Sequence, residues 1–165
     1  MGRIAGQASA AGGFPTLLGL EGAAARIYFA NFSQMLTTET KIPVGEFDSN
    51  GRSRRPPPDP VNTLLSFAYA LLVKDVTTTL AVIGFDPYFG VYHRPRFGRP
   101  ALALDLAEEF RPLIADSLVL QVINNGELSD HDFLSRAGGC QLQKLGRRAV
   151  IHAYERRLSQ EIKHP

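Results

Sequence analysis

Residues 59 to 75, DPVNTLLSFAYALLVKD, limit what this chain can become more than any other stretch. Asp59 followed by Pro60 reads as a helix start. The acid can accept orphan N–H groups of the first turn, and the fixed φ of proline suits the first helical position. The helix that follows is apolar nearly all round, so neighbours must enclose it and it belongs at the centre of a domain. Pro56, Pro57 and Pro58 cannot lie inside a helix and stiffen the approach into an extended path. A second segment, VTTTLAVIG, follows and stops at Gly84.

The 165 residues suffice for one domain with a proper core. Residues 1–15, rich in Gly and Ala, read as a flexible linker or the start of a first helix. Residues 16–165 read as one α-helical domain. Leu17, Leu20, Ala24, Ile27, Tyr28 and Met35 fall at helical spacing over 16–37. A long loop follows, with room for a short strand pair at its middle. Beyond Pro100, ALALDLAEEFRPLIADSLVLQVINNG predicts a long helix kinked at Pro112. Ser129 caps a short turn, RAGGCQLQKLG forms a loop or small hairpin, and RRAVIHAYERRLSQEIK closes as an amphipathic helix. The fold class is therefore mainly α.

Composition excludes several classes. Apolar residues at 44% rule out wholesale disorder. The single cysteine, Cys140, excludes an internal disulfide framework and fits a reducing, intracellular setting. The first residues lack the apolar core of a secretory signal, and no run approaches the roughly 18 apolar residues of a membrane span. A soluble protein with no membrane partner is expected.

Net charge is only +2, but its distribution is uneven. Arg52, Arg54 and Arg55 precede the prolines; Arg94, Arg96 and Arg99 follow His93; Lys144, Arg147, Arg148, Arg156 and Arg157 load the last helix. Acids gather at Asp105, Glu108, Glu109 and Asp116. A basic surface around an acidic centre suits a metal enzyme acting on a polyanion. Solvated helix faces would give the same pattern.

Within the acidic group, Asp105 and Glu108 are three apart and share a helix face. Two carboxylates there repel unless something positive sits between them, either an arginine such as Arg111 or a divalent cation. A neutral imidazole would complete an O,O,N set, which suits Mg²⁺ or Mn²⁺. His93 lies in the loop just before that helix, whereas His131, His152 and His164 have no comparable acidic partners and read as surface residues. Glu21, between Gly19 and Gly22 on an apolar helix, is costly to bury without a partner or a cation. A helix-dipole role in a first turn would explain it equally.

Three motifs in order, LLGLEGAAARIYF, GRSRRPPPDPVNTLLSFAYALL and GFDPYFGVYHRPRFGRPALALDLAEEFRP, resemble the CRISPR-associated adaptation integrases, the first-numbered family of CRISPR-associated proteins. The resemblance spans roughly residues 14–163. It implies the helical catalytic domain of an antiviral DNA endonuclease/integrase that inserts spacer DNA by attack of a 3′ hydroxyl on a phosphodiester. It also implies that Glu21, His93 and Glu108 bind Mn²⁺ or Mg²⁺, with Asp105 as a further ligand or an acid behind them. Arg52, Arg54, Arg55, Arg94, Arg96 and Arg99 become candidates for DNA phosphates. Asn62 is expected to tie down the arginine–proline loop, Tyr28 and Tyr69 to pack in the core or the wall of the site, and Tyr88 and Tyr92 to pack or to stack on an unpaired base.

Family members usually carry an N-terminal β-sandwich-like domain through which they dimerise, and it is expected to be absent here. The implied partners are double-stranded and branched DNA, the small ferredoxin-like CRISPR-associated adaptation protein and further copies of the chain, in a prokaryotic cytoplasm. Two rivals remain: a non-catalytic DNA-binding or assembly module whose acids pair with arginines, and a hydrolase acting on some other phosphate ester.

Overall fold

Asp59 begins helix α4 (Pro60–Val82) as its sequence suggests: the Oδ1 atom accepts the Asn62 N–H at 2.8 Å, and Pro60 fills the first turn. A computed structural model describes residues 2–37, 39–53, 55–136 and 138–161. It divides into two units, Met1–Met35 and Leu36–Pro165.

In the first unit, α1 (Gly2–Ser9) leads into α2 (Phe14–Ala30), and a 3-10 turn covers Phe32–Met35. The N-terminal residues are thus helical rather than a linker. Tyr28 meets Phe29 and Phe32 edge-on, at 5.1 and 5.9 Å between ring centres. No residue of α2 is buried, although the helix is largely apolar.

The second unit is built around α4. Val61, Leu64, Leu65, Ala68 and Leu72 are buried against α5 (Ala101–Phe110), α6 (Ser117–Asn124) and a two-stranded hairpin, and α7 (Lys144–Leu158) packs on α6. The sequence divided this helix into two segments, but it is continuous and ends where Gly84 turns at a φ of +93°. By length and composition alone α4 could cross a membrane. Its first six residues, 60–65, are all buried, whereas Ala70 is exposed and Val82 at its end is 81% exposed.

Two further departures concern the connections. Where a strand pair had room, the long loop instead forms a short helix α3 (Gly45–Asn50) that buries Phe47. Pro112 produces more than a kink. It cannot donate to the ladder of α5, and the chain takes a wider π-helical path over Arg111–Asp116 before α6 begins. Within this segment the Leu113 carbonyl accepts two hydrogen bonds from Arg157, at 3.0 and 2.7 Å, and one from Ser117 Oγ at 2.6 Å. Ser129 caps its turn as expected, in a reciprocal pair with Asp132. The GGCQL region is a hairpin, β1 (Phe133–Arg136) antiparallel to β2 (Gly139–Leu142).

Candidate active site

The loop between α4 and α5 carries His93, and three contacts seat it on the first turns of α5. The Pro87 carbonyl accepts the N–H groups of Leu102 and Ala103, at 3.0 and 3.3 Å, satisfying donors that a helix start leaves orphaned. Gly90 lies so close to α5 that a Cβ there would stand 2.6 Å from the Ala101 side chain. One turn further on, Asp105 grips the loop: its Oδ2 accepts Val91 N–H at 2.7 Å and Tyr92 N–H at 2.9 Å, and its Oδ1 accepts His93 N–H at 2.7 Å.

That carboxylate also fixes the imidazole, with His93 Nδ1 2.7 Å from Asp105 Oδ1. Burial pushes the Asp105 carboxyl up, but the backbone N–H groups of Tyr92 and His93, the His93 ring and the Val91 N–H together hold it below the usual carboxylate range. An ionised carboxylate has no proton to give, so Nδ1 must carry the hydrogen. In the neutral ring the Nε2 lone pair then points away from Asp105, towards Glu108 Oε1 at 3.9 Å. Tyr92 packs edge-on to the imidazole with ring centres 5.6 Å apart.

α5 presents these acids because its core face consists of alanines. Ala101, Ala103 and Ala107 are fully buried, whereas Leu106 and Phe110 remain well exposed. The small alanines bring α5 close to α4 and leave Asp105 and Glu108 together at the partly open rim, with side chains 12% and 28% exposed. Arg111 closes the group, its Nη1 lying 2.5 Å from both Glu108 oxygens.

Two electron-pair donors, His93 Nε2 and Glu108 Oε1, therefore face each other across 3.9 Å. One nitrogen and one oxygen donor are of the kind a hard or borderline divalent cation takes, so His93 and Glu108 would hold such an ion. Asp105 does not fit as a ligand, since both of its oxygens are already taken by four donors. Among the described residues, no three of His, Cys, Asp and Glu gather as ligands for one ion. Glu21 lies in the first unit, on α2, where it is exposed, so the cost of burying it does not arise. A Cβ at Gly19 or Gly22 would meet nothing within 4 Å, so these glycines admit no close neighbour within the chain.

The arginines divide. Arg52 turns inward: Nη1 donates to Ser53 O at 2.6 Å and Asn62 Oδ1 at 2.8 Å, and Nη2 to Ser66 Oγ at 3.1 Å. Its guanidinium also lies over the Tyr69 ring, 5.5 Å from the centroid. That commitment corrects the expectation of a phosphate contact. Arg54 lies outside the described residues. Arg55, Arg94 and Arg96 are exposed, and Arg99 is half-buried, its N–H bonded to the Arg96 carbonyl at 3.0 Å. On the last helix, Arg147 donates to Leu142 O and Arg156 pairs with Glu127, so part of that basic group serves the fold. His131 and His152 are exposed, as expected, while His164 lies outside the described residues.

Asn62 performs the role its motif suggested. Its buried amide donates to Gly51 O at 2.9 Å and Asp59 Oδ2 at 2.6 Å, and accepts from Ser53 N–H and Arg52 Nη1, both at 2.8 Å. All four hydrogen-bonding positions of the amide are filled. Arg111 and Tyr69 are the residues whose place sequence reasoning left most open. Both guanidinium groups lie over the Tyr69 ring, Arg52 at 5.5 Å and Arg111 at 4.9 Å from its centroid, and the Tyr69 hydroxyl donates to Asp116 Oδ1 at 2.6 Å. Burial, then Asp116, push the Tyr69 hydroxyl well above the usual tyrosine range. The available signal was Arg111 at helical spacing from Glu108.

The family model described as CRISPR associated protein Cas1 matches residues 1–156. Over 149 residues the chain is 58% identical to a CRISPR-associated exonuclease Cas4/endonuclease Cas1 fusion from Geobacter sulfurreducens, covering 90% of this chain and 26% of the relative. A Cas1 protein from Thermotoga maritima superimposes with a TM-score of 0.85 at 30% identity, over 96% of this chain and 49% of that one. A casposase bound to integration product gives a TM-score of 0.79 at 26% identity, over 93% and 42%. A chain of a partial Cas6-RT-Cas1–Cas2 complex gives 0.81 at 30%, over 94% and 46%. The chain thus spans between a quarter and a half of the length of these relatives.

Proposed function

The chain belongs to the CRISPR associated protein Cas1 family, and from that premise we propose that it is the catalytic part of a metal-dependent DNA integrase/endonuclease of CRISPR adaptation. The observation that carries this reading is the His93–Asp105–Glu108 cluster, in which an oriented imidazole nitrogen faces a carboxylate oxygen at 3.9 Å. His93 and Glu108 serve as two ligands of Mn²⁺ or Mg²⁺. Glu21 enters as the third by its place in the family motif, and Asp105 orients His93 without binding the ion.

A divalent cation held there supplies Lewis acidity at the scissile phosphate. The 3′ hydroxyl oxygen of the incoming strand bonds to phosphorus, its proton passes to solvent, and the bond to the departing 3′ oxygen breaks with that oxygen protonated. The protein keeps the reacting groups in place. Asp105 and Tyr92 hold the His93 ring, while Arg94, Arg96 and Arg99, with Arg55 from the proline loop, bind phosphate oxygens on either side. Phe97, wholly exposed at the tip of the Arg96–Arg99 turn, and half-exposed Tyr88 line an open groove with Pro95 and Arg96. An unpaired base beside the branch point would stack there.

The substrates are double-stranded and branched DNA in the prokaryotic cytoplasm. The protein partners are the small ferredoxin-like adaptation protein, in line with the Cas1–Cas2 complex to which the fold is similar, and further copies of the chain. A flap-bearing branched DNA incubated with the protein and Mn²⁺ tests the reaction, read as strand transfer or flap release. Glu21→Ala, His93→Ala and Glu108→Ala should each lower turnover at least about a hundredfold. Retention of wild-type turnover and Mn²⁺ affinity by all three would overturn the site.

One observation favours a second reading. Arg111 already neutralises Glu108, as it would in a DNA-binding or assembly module without catalysis. That reading expects no thermal stabilisation by Mn²⁺, whereas the integrase reading expects several degrees at saturating ion.

A further inference from the structure

We propose that Arg111 is the resident countercation of Glu108, holding the carboxylate in place while no divalent ion is bound and competing with one for it. The inference rests on the metal-site reading above and adds a residue which that reading does not use.

Its basis is geometric. The Arg111 Nη1 reaches both Glu108 oxygens at 2.5 Å, one helical turn away. The guanidinium is anchored from outside its own helix, 4.9 Å above the Tyr69 ring of α4, and Tyr69 is itself tied by its hydroxyl to Asp116. Arg52 also lies over that ring, its Cζ 5.5 Å from the centroid. Arginine stays protonated at any working pH, so Arg111 cannot be neutralised to make room for a second positive charge. Before Glu108 can serve as a ligand, Arg111 must share its oxygens or swing aside. Like charges at that distance oppose binding, and so Arg111 sets the threshold at which the site loads.

Two effects of opposite sign follow. Without Arg111, Glu108 loses that pairing and the metal-free protein is less stable. Without Arg111, a divalent ion also meets no competitor and binds more tightly. A merely structural arginine would weaken both stability and metal binding when removed.

The experiment compares the full chain with its Arg111→Met and Arg111→Lys variants by calorimetric titration with MnCl₂ and by thermal unfolding without metal. Arg111→Met should unfold at a lower temperature without metal, yet bind Mn²⁺ at least about tenfold more tightly than wild type. Arg111→Lys, which keeps the charge, should stay within about threefold of wild-type affinity. Mn²⁺ binding by Arg111→Met that is no tighter than wild type overturns the proposal. Should that variant fail to fold, the wild-type guanidinium ¹⁵N resonances of Arg111 decide during titration with MgCl₂. They should shift or broaden as the site fills, and signals unchanged at saturation overturn the proposal. A wild type that binds neither ion removes the metal site itself and this inference with it. A wild type that binds while Arg111→Met binds no better removes this inference alone.

Discussion

Asp105 shows how much one side chain can organise. Its two oxygens take three consecutive backbone N–H groups and the His93 ring, so it sets both the path of the loop and the tautomer of the imidazole. Asp105→Asn keeps the shape but replaces an acceptor oxygen with an NH₂ group, which cannot accept the same donors. Mn²⁺ affinity should fall about 10–100-fold, as is typical when the group orienting a ligating histidine is lost; titration calorimetry measures it. A pH dependence follows as well. The folded pKa of Asp105 lies below its unfolded value, so its stabilisation is complete above the ordinary carboxylate range near about 4 and is lost as pH falls through the folded pKa. Urea unfolding from pH 6 down to pH 2 should show a steeper loss of stability in wild type than in Asp105→Asn; equal slopes would contradict this.

At the level of elements, the approach of the loop to α5 depends on Gly90. A Cβ there would meet the Ala101 side chain at 2.6 Å and the His93 carbonyl at 2.9 Å, so Gly90→Ala must push the loop off the helix. Overpacking of this kind costs about 1–3 kcal/mol, measurable by chemical denaturation, and it should displace His93 and weaken Mn²⁺ binding as well. Asn62 plays the matching part for the arginine–proline loop. Asn62→Ala would leave the buried Asp59 Oδ2 and the Gly51 carbonyl without the donors they now have. A loss of about 2–4 kcal/mol is expected, visible as a lower denaturation midpoint. The sequence located this helix start, the turn after Gly84 and the break at Pro112, because caps, glycines and prolines act through bonds a few residues long. It misplaced a strand pair where α3 lies, because six residues carry too little periodicity to separate the two.

For the molecule as a whole, the positive charges on the loop after His93 predict how DNA binding responds to salt. If Arg94, Arg96 and Arg99 each neutralise one phosphate, the log–log slope of affinity against salt should fall by roughly 0.9 for each arginine replaced by alanine. Fluorescence anisotropy on branched DNA between low and physiological salt tests this. Arg52→Ala should leave the slope unchanged and lower stability instead, because that guanidinium faces Asn62 and Tyr69. The sequence alone determined a mainly helical chain, the start of its central helix, and the spacing that sets Asp105 and Glu108 on one face with His93 close by. These are local properties, fixed by backbone geometry within one or two turns. Only the tertiary structure decided that Asp105 commits its oxygens to the loop, that Arg52 turns inward while Arg94 and Arg96 face solvent, and that Arg111 reaches Glu108 with Tyr69 beneath it. A carboxylate or a guanidinium can serve as a ligand, a clamp or a surface charge, and partners tens of residues away select among those roles.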